Sequence, residues 1–132
     1  RAAMALQLPL FGVCLGLQGI VEALGGTLGT MPFPQHGRTG ELTVTRPSIL
    51  FEGMPDRFTV GRYHSLFAAT VPASLRVTAS TEDGVPMAVE HVALPVAAVQ
   101  FHPESIMTRG GDRLVANVVR ALAGTTALKR TG

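Results

Sequence analysis

Leu8-Pro9-Leu10-Phe11-Gly12-Val13-Cys14-Leu15-Gly16-Leu17-Gln18 runs from an apolar stretch through a glycine-flanked cysteine into a helical pattern. Leu8 to Val13 reads as a short strand. Gly16 to Leu24 reads as a helix with Leu17, Ile20, Val21 and Leu24 on one face, stopped by Gly25 and Gly26. Cys14 stands at the join. A sharp strand-to-helix turn forces its central residue into a strained conformation, and glycines two before and two after remove side chains that would collide there. This is a nucleophile elbow carrying a cysteine. It predicts a sulfur exposed at a helix N-terminus, where backbone N–H groups and the dipole favour thiolate. A buried structural cysteine at a strand end is the commoner fate of a lone cysteine, and the glycine spacing alone leaves the two readings in balance.

Outward from the elbow, residues 1–7 read as the tail of a helix. Residues 30–40, with Pro32, Pro34, Gly37 and Gly40, read as loop. Glu41 to Thr45 alternates with period two, and Ser74 to Ser80, Met87 to His91 and Val96 to Phe101 read as further strands around a turn-rich segment, 46–73. Asp112 to Ala123 places Leu114, Val115, Val118, Val119 and Leu122 at helical spacing, with Gly124 as the stop and 124–132 as a flexible tail. That order points to one α/β layered domain with an antiparallel portion.

Composition narrows the function classes. The chain's 132 residues suffice for one core, and 46% hydrophobic against 15% charged residues excludes general disorder. Ten Arg and one Lys are scattered singly, so the net charge of +2 supplies no basic track and no nucleic-acid partner is expected. One cysteine cannot form an internal disulfide, which favours a reducing compartment, the cytoplasm. Arg1 and the apolar residues after it resemble a signal peptide, but Gln7 and Pro9 interrupt them. Val13 before Cys14 is also wrong for lipoprotein cleavage. No run reaches the length of a membrane span.

A second motif completes the chemistry. His102-Pro103-Glu104 follows the strand ending at Phe101, and Pro103 biases His102 toward an extended backbone. Residues i and i+2 of an extended chain project to the same side, so Glu104 can bond one imidazole nitrogen and leave the other for a thiol. A lone His-x-Glu is more often a solvated pair. Beside an elbow cysteine it makes a nucleophile, a base and an orienting carboxylate.

Gly12-x-Cys14-x-Gly16-x-Gln18 together with Gln100-Phe101-His102-Pro103-Glu104-Ser105-Ile106 resembles the class I (triad) glutamine amidotransferases over about residues 1–122. Within that family, His36-Gly37, Arg62-Tyr63-His64-Ser65-Leu66 and His102 to Thr108 look most like the anthranilate synthase glutaminase, especially forms fused to the chorismate-binding component. The resemblance implies a flavodoxin-like α/β fold. It implies that Cys14 attacks the side-chain amide of L-glutamine, that His102 shuttles the proton, and that Glu104 holds the imidazole. Ammonia then passes to a chorismate-using synthase in tryptophan biosynthesis. Gln18 matches the family's glutamine-binding residue, and four positions after Cys14 it falls on the same helix face. Ser65 and Leu66 match the segment whose backbone holds the substrate's α-groups. No cofactor is implied in this domain, and magnesium is expected in the synthase partner.

The remaining histidines have plainer readings. His91 ends a strand, His64 lacks a carboxylate at useful spacing, and His36 lies in the Pro-rich segment that faces the synthase in the resembling family. Arg38 stands where the family often has Lys. The larger departure is that the family has strands and an oxyanion-donating Gly/Pro-rich loop ahead of the elbow. Here only the N–H of Leu15 supplies such a donor. The expectation is therefore the C-terminal portion of a larger domain, whose open Leu8 to Val13 edge self-associates. The glutaminase parts of aminodeoxychorismate and phenazine-pathway synthases share the half-reaction. A non-catalytic interaction module, or a cysteine peptidase or γ-glutamyl hydrolase, are the readings from other classes.

Overall fold

The computed structural model describes the backbone of residues 8–131 and the side chains of 8–31 and 37–121. In chain order the elements are β1 (Leu10–Val13), α1 (Leu15–Ala23), β2 (Thr27–Val44), a 3-10 turn (Ile49–Phe51), β3 (Arg57–Thr70), β4 (Leu75–Thr81), β5 (Pro86–His91), β6 (Val96–Val99) and α2 (Gly111–Thr131). The predicted α/β class is the observed one. Six strands form one mixed sheet in the order β1-β6-β5-β4-β2-β3. Its single parallel pair joins β1 to β6, with Leu10 opposite Val96 and Val13 opposite Val99, and the other pairings are antiparallel.

Alternation along the strands divides the core between two faces. Val89 and Ala98 turn toward the Leu17, Ile20 and Val21 side of α1, together with Ala68, Leu75 and Val96. Ala88 and Val99 turn to the opposite face, where Leu42, Phe58, Val60 and Phe101 meet Leu114 and Val118 of α2. Leu17 and Val21 are fully buried, each contributing about 1.5–3 kcal/mol. These contacts fix α1, and with it everything carried on its first turns, against the sheet.

Three expectations are corrected. Residues 30–40 are strand: β2 continues through them, with register breaks between Thr30 and Gln35 and between His36 and Arg38. The bulges hold Pro32 and Pro34, whose missing N–H groups a continuous ladder could not tolerate. Within 46–73, Arg57 to Thr70 forms the long edge strand β3, paired along β2. Its apolar alternation is interrupted because Arg62 and His64 are buried on the sheet. Finally, α2 runs through Gly124 to Thr131, since a glycine inside a helix costs only about 1 kcal/mol and no proline follows. The predicted helix tail over 1–7 lies outside the described residues.

Candidate active site

Cys14 follows β1 and caps the N-terminus of α1. Its φ of 54° and ψ of −100° make it the one non-glycine residue with positive φ among those described. Such a conformation costs about 1–3 kcal/mol and persists where its surroundings over-determine it. Here the Cys14 N–H donates to the Val99 carbonyl at 2.8 Å, locking the elbow to the end of β6. The two flanking glycines are not equivalent. A Cβ on Gly12 would lie 2.8 Å from the Gly16 carbonyl carbon and 3.1 Å from Ile20 Cδ1, whereas a Cβ on Gly16 meets nothing within 4 Å. The expectation that both glycines avoid collisions therefore holds for Gly12 alone. In chemical denaturation Gly12→Ala is expected to lose about 1–3 kcal/mol, while Gly16→Ala stays within about 0.5 kcal/mol of the parent. Equal losses would contradict this asymmetry.

The base segment is built where β6 ends. The His102 carbonyl accepts from Ser105 N at 3.1 Å and from Thr108 Oγ1 at 2.8 Å. Thr108 Oγ1 in turn accepts from Gly61 N of β3 at 2.9 Å. On the other side of the loop, a Cβ at Gly111 would overlap the Pro103 carbonyl, so the start of α2 presses directly on the segment. His102 Nδ1 lies 2.6 Å from Glu104 Oε1. Because an ionised carboxylate only accepts, Nδ1 carries the proton and Nε2 is left as the basic nitrogen. Burial works against ionisation of Glu104, but a backbone N–H, the hydrogen bond from His102 and that ring's charge together hold its carboxyl below the usual range. The Tyr63 ring stands edge-on to the imidazole, centroids 5.5 Å apart.

The sulfur departs from expectation, because Cys14 is only 8% exposed. Burial raises its pKa; the Leu15 N–H and the Gln100 amide pull the other way, and the charge of Glu104 adds to the rise. Sγ donates to the Tyr63 carbonyl at 3.9 Å and accepts from Gln100 Nε2 at 3.4 Å. In this arrangement the sulfur is a thiol turned to the Tyr63 carbonyl and sheltered by β3. The predicted exposed thiolate overlooked β3, which lies across the elbow.

Cys14, Leu15, Gln18, Ser65, Leu66 and His102 line one cavity of about 390 Å³, with Val13, Tyr63 and His64 completing its wall. Glu104 reaches the group through His102, so all seven predicted site residues are brought together. Gln18, one turn beyond Cys14, donates from Nε2 to the Leu66 carbonyl at 3.3 Å and to Gln100 Oε1 at 3.4 Å. That leaves its own Oε1 as the group free for a ligand. His64 is not a competing base. Its Nε2 accepts from Arg62 Nε at 3.2 Å, and its Nδ1 faces the Leu66 carbonyl at 3.0 Å and so must donate. Burial first and the Arg62 charge second keep its pKa low, against the opposing pull of the Leu66 carbonyl. His91 Nδ1 accepts from the N–H groups of Ala93 and Leu94, a turn-closing role. The side chain of His36 lies outside the described residues. Sequence reasoning missed the Arg62–His64 brace, and it quoted Gln100 only as part of a motif. No cluster of metal-ligating side chains occurs among the described residues.

Residues 1–122 match the family model of the class-I glutamine amidotransferases. The chain is 57% identical over 127 residues to an anthranilate synthase of Azospirillum brasilense, covering 92% of this chain and 17% of that protein. It is 50% identical over 117 residues to an aminodeoxychorismate synthase of Streptomyces griseus, covering 89% of this chain and 16% of that protein. The crystal structure of a glutamine amidotransferase from Thermotoga maritima superposes with a TM-score of 0.71 at 18% identity, over 99% of this chain and 54% of the other. The chain thus spans less than a fifth of either curated relative.

Proposed function

Because this chain belongs to the class-I glutamine amidotransferase family, we propose that it is the glutaminase part of an anthranilate synthase, releasing ammonia from L-glutamine to a chorismate-using partner. The observation that carries the chemistry is the shared cavity: a strained cysteine, a histidine whose Nδ1 is held by a carboxylate, and the Gln18, Ser65 and Leu66 wall. The higher identity to the anthranilate synthase supports the choice of partner. The 50% identity to an aminodeoxychorismate synthase is the observation that favours the second reading.

In the proposed mechanism the substrate displaces the Cys14 thiol from the Tyr63 carbonyl, and His102 Nε2 accepts its proton. Sulfur attacks the side-chain carbonyl carbon, forming a C–S bond while charge develops on oxygen opposite the Leu15 N–H. His102 returns the proton to nitrogen as the C–N bond breaks, so ammonia leaves and a glutamyl thioester remains. Water, deprotonated by the same imidazole, then releases glutamate and restores the thiol. Ser65 and Leu66 hold the substrate's α-groups through their backbone. This chain supplies the thiol, the base, the orienting carboxylate and one oxyanion donor of the half-reaction, and any magnesium requirement is assigned to the partner.

No helix among the described residues is long and apolar enough to cross a membrane. We place the reaction in the cytoplasm, where Cys14 stays reduced. We also assign self-association to the outer edge of β1, which has no strand beside it among the described residues. A monomer in light scattering well above micromolar concentration overturns that assignment.

The test of function is intact-mass analysis after exposure to a diazoketone analogue of glutamine. One adduct at Cys14, competed by free glutamine and absent in Cys14→Ser, is expected. Adduct formation that glutamine does not compete overturns the glutaminase reading. Formation of anthranilate rather than aminodeoxychorismate from chorismate and glutamine separates the two partners.

A further inference from the structure

Gln100 is fully buried at the end of β6, its backbone N–H fixed to the Met87 carbonyl at 2.8 Å. Its side chain lies between Gln18 and the sulfur. The orientation of that carboxamide follows from its neighbours. The Leu66 carbonyl can only accept, so Gln18 must present its NH₂ group there. The same nitrogen faces Gln100, which must therefore offer its oxygen. Gln100 Nε2 is left 3.4 Å from Cys14 Sγ, with the sulfur as acceptor. Reversing either amide would set donor against donor or carbonyl against carbonyl.

The direction of this chain is anchored further out as well. The Leu66 carbonyl takes a second donor, His64 Nδ1. The ring's other nitrogen accepts from Arg62, a guanidinium that has no acceptor to offer. Arg62 is itself held by Asp83 at 3.2 Å. Every polar contact from Asp83 to Leu66, and from Leu66 through Gln18 and Gln100 to sulfur, thus has one permitted sense. With Gln100 0% exposed, solvent cannot replace its donor.

We propose that Gln100 is a further catalytic residue, a carboxamide donor held on the Cys14 sulfur that stabilises the thiolate attacking the substrate. The inference rests on the glutaminase reading for its substrate, and on geometry for the donor itself. A buried thiolate needs such a donor. Burial and Glu104 both disfavour the anion, and the Tyr63 carbonyl, as an acceptor, stabilises only the thiol. The Leu15 N–H is the other group that favours the ionised sulfur. Gln100 also ties ionisation to the substrate wall, because the amide that orients it is the one bonded to Leu66.

The test is the pH dependence of iodoacetamide alkylation, read at the Cys14 peptide by mass spectrometry in the protein at its native length. Gln100→Met keeps the volume and removes the donor, and its alkylation midpoint is expected to rise by about 1 pH unit. Gln100→Glu places an acceptor against sulfur and is expected to rise further. Gln18→Met leaves Gln100 in place but unoriented and is expected to rise by less, which keeps the test decisive if both Gln100 variants fail to fold. Midpoints equal to the parent's in the folded variants overturn the proposal. Loss of glutamine-competed labelling in the parent, with the midpoints still shifted, overturns the glutaminase reading and leaves the donor standing.

Discussion

Cys14→Ser is expected to lower glutamine turnover by a factor on the order of 10⁴–10⁶ while leaving the fold intact, as measured by ammonia release beside a thermal melt. The hydroxyl fits the same space and the same positive-φ backbone, but it does not ionise near neutral pH. The neighbouring donors that suffice for a thiol do not suffice for it. The parent protein has its own pH signature. Because the folded-state thiol pKa is raised, the contribution of Cys14 to stability is fully present below the unfolded thiol's pKa. It is lost as pH climbs through the folded value. Denaturation midpoints are therefore expected to fall at alkaline pH in the parent and to fall less in Cys14→Ser. Substantial turnover by the Ser variant would remove Cys14 from the mechanism.

The second large effect is at His102. His102→Gln is expected to cost about 10²–10⁴-fold in turnover, with a much smaller change in the glutamine concentration giving half-maximal labelling, since the substrate wall is built by other residues. Glu104→Gln retains a hydrogen-bond acceptor for Nδ1 but loses the charge, so an intermediate loss is expected. The sign for Glu104 is opposite to that for the thiol. Its depressed pKa means that its stabilising contribution is present above the unfolded glutamate's pKa and is lost as pH falls through the folded value. Its orienting charge therefore persists into mild acid. A His102→Gln variant that labels and turns over like the parent would identify a different base.

The parts legible in the sequence were those whose chemistry is local. Gly12-x-Cys14-x-Gly16 and His102-Pro103-Glu104 each carry most of their geometry within a few residues; the structure adds that they end adjacent strands and that Gly12, not Gly16, is the glycine the turn requires. What escaped was set by long-range packing. β3 was hidden because Arg62 and His64, residues that alternation assigns to solvent, are 5% and 4% exposed. They are tolerated there because they bond each other and Asp83 or the Leu66 carbonyl, Arg62 Nη2 being left without a partner. Pro32 and Pro34 disguised a strand because bulges rescue them. The burial of the sulfur follows from β3 crossing the elbow, and no residue near Cys14 in sequence announces it.

The pairing that unites nucleophile and base has a consequence for the order in which the molecule assembles. Cys14 and Gln100 are separated by 86 positions, and the strands leading to them touch only across the four-residue β1–β6 ladder. Closing a flexible loop of that length costs about 4 kcal/mol of chain entropy, more than so short a ladder recovers alone. The meander of β2, β3, β4 and β5 must therefore condense first and bring the two ends together. Assembly of the candidate site is in this sense a checkpoint on maturation. A nascent or partly folded copy carries Cys14, Gln100 and His102 and yet holds them apart, because the last contact to form is the one that makes them a site.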